Sequence, residues 1–230
     1  KQKTAYEIRN CDWSSDVCSS DLVGAAKVPA VSAKSIFALV SWRSRDFQAL
    51  SQAGSVEKFV DALMWALVPV YLAAQGVALV TIGWITATYG LVWGASQLWT
   101  GPLSDRIGRK LPIVAGFAIC TAGVAAFPLL SAPFAWAGAA AVTGVGMALL
   151  YPNLIASVAD LAQPEWRGAA LGVYRFWRDL GYAFGALAIG LVADASGYLE
   201  TGFWLTAGAM ALSGLWLLLG FTETHRPQKD

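Results

Sequence analysis

Gly101-Pro102-Leu103-Ser104-Asp105-Arg106-Ile107-Gly108-Arg109-Lys110 is a short basic, glycine-bearing stretch set between long runs without charge. Upstream, no Asp, Glu, Lys, Arg or His occurs from Ala62 to Ser104; downstream there is none from Leu111 to Ala159, and a third such run covers Thr201–Thr222. A helix that crosses a bilayer needs about 20 apolar residues. The first two runs therefore hold two spans each and the third holds one. Of 230 residues, 57% are apolar and 13% charged, with a mean hydropathy of +0.53. Soluble domains carry about 25% charge, and half that amount cannot cover a water-soluble body of this size. The chain reads as an all-α polytopic membrane protein.

The same composition excludes several functions. A net charge of +1 argues against a nucleic-acid partner, which needs clustered basic residues. The single histidine, His225, lies in the tail, which leaves no basis for a His-ligated metal site or His acid–base catalysis. A membrane metalloprotease (His-Glu-x-x-His) and a serine enzyme with a buried His cannot be assembled. No Thr-Val-Gly-Tyr-Gly filter or acidic ring marks a channel. No cofactor is expected, and Cys120, inside an apolar run, reads as a small core residue.

Outward from the basic stretch, six spans are expected. The first runs from about Val56 to Ala74, with Ser55 as its N-cap and a kink at Pro69. The others cover about Val80–Trp99, Leu111–Leu130, Phe134–Val158 (with Pro152 inside), Arg167–Ala193 and Thr201–Phe221. Alternate connections are basic: the lead carries Lys27, Lys34, Arg43, Arg45 and Lys58, and later connections carry Arg106, Arg109, Lys110 and Arg167, then Arg226 and Lys229 in the tail. Under the positive-inside rule both termini are cytoplasmic. Trp42, Trp99, Trp136, Trp166 and Tyr198 fall near span ends, as interfacial aromatics do.

Lys1–Leu22 is polar and Ser/Asp-rich, unlike everything after it. Asp12–Leu22 (DWSSDVCSSDL) and Lys1–Ile8 are similar to a translated sequencing-library adapter, so residues 1–22 are set aside. The expected organisation is then a lead at 23–54, read as either a short interfacial helix or an unstructured linker, a six-helix domain at 55–222, and a tail at 223–230.

The basic stretch resembles the signature Gly-x-x-x-Asp-Arg-x-Gly-Arg-(Arg/Lys)-x-(Arg/Lys) of the major facilitator superfamily at every defined position but the last, where Pro112 stands. The resemblance implies one six-helix half of a twelve-helix transporter that moves a small solute by alternating access, coupled to protons, with efflux the favoured direction. It implies a bacterial inner-membrane location and a six-helix N-terminal half as partner. The lead resembles the family's central loop and the nine-residue end a C-terminus, which points to the C-terminal half. Gly101, Asp105, Arg106, Gly108, Arg109 and Lys110 are implied as gating residues rather than substrate ligands. Gly181, Gly185 and Gly190 only partly echo the drug-antiporter pattern, with Ala186 where that pattern has Pro.

Charges within the spans supply candidate substrate- or proton-coupling residues. Arg175, Arg178, Asp179 and Tyr182 share one face of the fifth span, with Arg175 and Asp179 spaced as an i,i+4 pair. Arg178 falls about 16 Å into the membrane, where an arginine costs about 2.5–3.5 kcal/mol. That face must look into the bundle, either as an anion anchor with a proton carrier at Asp179 or as an Arg–Asp packing network. Asp61 reads as a coupling carboxylate or as a partner for Arg106 or Arg109. Tyr151 and Asn153 flank Pro152 as cavity-lining candidates, or as a kink with an amide partner. Thr86, Tyr89 and Gln97 are secondary candidates, and Gly181-x-x-x-Gly185 reads as a helix-packing motif.

Overall fold

A computed structural model describes residues 32–224 of the chain. The adapter-like residues, Lys27 and the tail from His225 lie outside the described residues. The lead is helical where described: α1 (Ala33–Ala38) runs into a π-helical turn, Leu39–Arg43. The first long rod then opens at Arg45 rather than Val56. Ser44, and not Ser55, is its N-cap, with the Ser44 side chain accepting from the Phe47 amide. Ser55 lies inside the helix and donates to Ser51 O and, across the bundle, to Trp177 O at 2.8 Å.

This rod is α2 (Arg45–Ala62), a π-helical turn (Leu63–Leu67) and α3 (Val68–Ala74). Pro69 has no amide hydrogen for the carbonyl four residues back, and the wider turn just before it is the local adjustment to that loss. Four more long helices and one extended helix follow: α4 (Leu79–Ile107), α5 (Lys110–Ala126, extended by a 3-10 turn to Leu129), α6 (Pro133–Leu161), α7 (Arg167–Ser196) and α8 (Glu200–Gly220). Their ends agree with the sequence expectation to within a few residues except at α4, which continues to Ile107 through Pro102. The signature stretch is therefore mostly helix, and the turn itself is confined to Gly108 and Arg109. Gly108 has φ +95°, a conformation that a side chain would strain.

Among the described residues, four helices are long and apolar enough to cross a membrane: Lys110–Leu129, Pro133–Leu161, Arg167–Ser196 and Glu200–Gly220. The first two rods, also expected as spans, fall outside this set. Glu57, Lys58 and Asp61 lower the hydropathy of one, and Thr, Tyr and Trp that of the other.

The pairing of the rods has a hidden symmetry. The first rod packs on α7 and α8, α4 on α6, and α5 on α6 and α8. Exchanging the first three rods for the last three maps this pattern onto itself: α2 on α7 becomes α6 on α4, and α5 on α6 becomes α8 on α2. Because each triplet holds an odd number of rods joined by short turns, the second enters from the opposite side, which makes the two inverted repeats. Backbones meet closely where glycine permits. A Cβ on Gly181 would collide with the Ser55 backbone, and one on Gly185 would lie 2.8 Å from the Phe59 ring. The expected packing role of this glycine pair is what the helices display.

Candidate functional site

Four ionic side chains meet inside the bundle. Glu57 is fully buried on α2, and Arg178 of α7 donates to its Oε1 through both Nε (3.2 Å) and Nη2 (3.0 Å). One turn further along α2, Asp61 is ion-paired with Lys58 and accepts at Oδ1 from the Tyr89 hydroxyl of α4 at 2.7 Å. Two acids thus face two bases, so the cluster is electrically balanced. That is what an apolar interior requires, since an unpaired buried ion costs several kcal/mol.

Aromatic rings wall this cluster. The Arg178 guanidinium lies 4.5 Å from the Tyr151 ring centroid, a cation–π contact worth about 0.5–2 kcal/mol. Tyr151 meets Trp93 edge-on, and Trp93 in turn stacks obliquely beside Tyr89. Local sequence explains the placement. Glu57 and Asp61 are four apart, which stacks them on one helix face, and Tyr89 and Trp93 repeat that spacing on α4. On α7 the residues that turn inward are Ala170, Tyr174, Arg178, Gly181, Gly185, Ile189 and Ala193, small except at Tyr174, Arg178 and Ile189. Three buried polar atoms beside the cluster have no hydrogen-bond partner among the described residues: Glu57 Oε2, Trp93 Nε1 and the Tyr174 hydroxyl.

Of the fifth-span candidates, Arg178 alone is buried; Arg175, Asp179 and Tyr182 are exposed on the α7 face that turns away from the other rods. The expected Arg175–Asp179 pair is not formed. Asp179 instead approaches Arg178 at 3.8 Å, because Arg178 is committed to Glu57 and holds its guanidinium near the neighbouring carboxylate. Nor does Asp61 pair with Arg106 or Arg109; Lys58, one turn away on the same helix, neutralises it first. Asn153 is buried, but its amide donates back to Leu149 O at 2.7 Å. Tyr151 faces Arg178. Glu57 escaped the sequence reading, and Lys58 was counted only among the basic residues of the lead, because both sit where the lead gives way to the first span. The signal that finds them is the i,i+4 pair Glu57–Asp61 between apolar residues on both sides.

The signature turn is a separate assembly at the end of the bundle. Arg109 pairs with Asp105 at 2.8 Å, reaches Asp160 of α6 at 3.4 Å, and donates to Ser104 Oγ at 2.7 Å. Asp105 thus pairs with Arg109 rather than Arg106, one helical turn being the reach that a carboxylate and a guanidinium share. Arg106 is exposed. The Glu223 carboxylate accepts from the Arg109 and Lys110 amides, both at 2.9 Å, serving two donors at the α5 N-terminus. A Cβ on Gly108 would come within 2.6 Å of that carboxylate, so Gly108 answers both its own φ and its neighbour. Gly101, by contrast, has open space around it.

A helical bundle with four helices long and apolar enough to cross a membrane, and with balanced charge buried inside it, has the architecture of a polytopic membrane protein. The Major Facilitator Superfamily profile matches residues 53–230, and the chain belongs to that family. It is 34% identical over 134 residues to an uncharacterised MFS-type transporter of Salmonella typhimurium, a match covering 57% of this chain and 34% of that protein. It is 31% identical over 153 residues to the efflux pump terJ of Aspergillus terreus, covering 65% of this chain and 29% of the pump. In structure it is similar to the peptide transporter POT crystallised with sulfate, with a TM-score of 0.71, 24% identity, and 86% of this chain against 44% of that one. The chain spans about a third of the length of these sequence relatives. It is an integral membrane protein of a family of transporters, not enzymes.

Proposed function

We propose that the chain forms one six-helix half, the C-terminal one, of a secondary transporter that moves a small solute by alternating access coupled to protons. The buried Glu57–Arg178 pair is the observation that carries this reading. It ties the first rod to α7 through a charged contact whose breakage is costly unless a proton or a substrate group replaces the lost partner. Glu57 Oε2, buried without a donor, offers a lone pair for that proton. Protonation releases Arg178 for an anionic solute group or for Asp179, at 3.8 Å.

Asp61, Lys58 and Tyr89 hold the adjacent turn of α2 rigid while this exchange occurs. Tyr151 keeps the guanidinium oriented toward the site. Arg175, Asp179 and Tyr182, exposed on α7, line the face that meets the N-terminal half, where substrates of such folds sit near the midplane. Gly101, Asp105, Arg106, Gly108, Arg109 and Lys110 act at the gate. The ion pairs of Arg109 with Asp105 and Asp160 bind α4, α5 and α6 together when that side is closed. Both termini are cytoplasmic in this reading, from the alternation of basic connections. Efflux is the proposed direction, supported by the likeness to an efflux pump.

The test is solute flux in the full-length transporter reconstituted in vesicles. Glu57→Gln is expected to abolish pH-driven accumulation while solute-for-solute exchange continues, because exchange needs no net proton movement. Undiminished accumulation in that variant would overturn the proposal.

A further inference from the structure

A second site is lined by residues other than those of the buried ion pairs. A groove of about 400 Å³ runs between the α1 turn, α2, α7 and α8. Its lining is graded. Ser41 and Gln48 lie at one end, Trp42, Trp177 and Trp216 form the flanks, and Val56, Phe59 and Phe184 lie at the other end. Trp177 is fixed there by donating its indole N–H to Ser41 Oγ at 2.8 Å, and Gln52 by accepting from Ser213 at 3.0 Å. The walls are therefore preformed. From Gln48 to Phe59 the helix rises about 16 Å, half of a hydrocarbon core about 30 Å thick. The groove is one leaflet deep.

Positive charge stands at its polar end. Arg43 and Arg45 are both exposed there, beside Trp42 and at the start of α2. Arg45 donates to Leu219 O at 3.3 Å, which brings its guanidinium over the end of α8. A Cβ built on Gly220 would lie 3.9 Å from Arg45 Nε and 3.3 Å from Trp216 Nε1, so the two groups converge at the groove mouth. The neighbouring acid, Asp46, is turned to the Thr222 amide at 2.8 Å. The order is thus guanidinium and indole at the mouth, amide and hydroxyl beside them, and phenyl at the far end. It matches an anionic headgroup, a glycerol-ester region and an acyl chain.

We propose that this groove holds one anionic glycerophospholipid of the cytoplasmic leaflet, its phosphate at Arg43 and Arg45 and an acyl chain along Val56, Phe59 and Phe184. The lipid fastens the π-turn segment to α2 and α8, and so couples the lead to the first rod.

Native mass spectrometry of the full-length transporter, offered phosphatidylglycerol and phosphatidylcholine in equal amounts, tests this. Wild type is expected to retain one more phosphatidylglycerol than the double variant Arg43→Gln/Arg45→Gln, and the preference over phosphatidylcholine at that position is expected to fall about tenfold or more, two basic groups near an anionic surface being lost. Val56→Trp, which fills the groove and leaves the charges in place, is expected to lose the same single lipid. Equal phosphatidylglycerol retention by wild type and the arginine variant overturns the proposal. If that variant loses its helical circular dichroism, Val56→Trp decides alone, and unchanged retention there overturns the proposal.

Discussion

Thr100 illustrates how single side chains repair what proline removes. Pro152 cannot donate to Ala148 O inside α6, and the Thr100 hydroxyl of α4 donates to that carbonyl at 2.9 Å in its place. Thr100→Ala should lower stability by about 1–3 kcal/mol, the cost of a buried unsatisfied carbonyl, read as a drop in thermal midpoint in detergent. An unchanged midpoint would refute this. Glu57→Ala should be worse, by about 3–5 kcal/mol, since it removes the buried partner of Arg178 and leaves only the longer contact to the exposed Asp179. The further substitution Arg178→Met should restore part of that loss, and a double variant no more stable than Glu57→Ala would contradict the pairing. Gly108→Ala combines strained φ with a clash against Glu223 and should cost about 1–3 kcal/mol. Glu223→Ala relieves only the clash, so the two substitutions together should not recover wild-type stability.

At the scale of elements, the contact between α2 and α7 is the joint on which the site depends. The Ser55 hydrogen bond to Trp177 O, the bare Gly181 backbone and the Glu57–Arg178 pair follow one another along it. Gly181→Ala pushes a methyl group into the Ser55 backbone, which has no flexible side chain to yield. It should cost about 1–3 kcal/mol, as overpacking does, and lower transport together with stability. Gly190→Ala, where nothing lies within 4 Å of the added carbon, is the matched control and should be neutral or stabilising by helix propensity. Equal effects at the two glycines would refute the close-approach argument. Five of the six rods were legible in the sequence to within a few residues at nearly every end, because apolar runs bounded by Gly, Pro and charge have few other solutions. The start of the first rod was not. Ser44 and Ser55 both precede apolar residues, and local pattern cannot choose between them; burial of Phe47, Ala49 and Leu50 against the other rods does.

For the whole molecule, α7 is the informative rod: only 22% of its most apolar window is buried, against 44% in α5 and in α8. Its open face bears the charges of Arg175 and Asp179 beside the Tyr182 hydroxyl, groups unsuited to acyl chains. In the full-length transporter these residues should therefore line water. Asp179→Cys should react with a membrane-impermeant maleimide and be protected by substrate, while Leu212→Cys, exposed on the apolar side of α8, should resist it. Similar labelling at the two positions would overturn the assignment of the α7 face.

Sequence alone settled the membrane class, the helical rods and the family, since each depends on runs of like residues or on a contiguous motif. It turned Arg175, Arg178, Asp179 and Tyr182 inward together, but only Arg178 is buried, because the α7 face that carries the other three packs on no other rod. Which carboxylate meets that arginine was decided by tertiary packing. Glu57 lies 121 residues away in the chain, and the local candidate Asp179 lost to it. Helix geometry turns consecutive side chains about 100° apart, and only the approach of α2 to α7 over Gly181 brought one particular acid within reach.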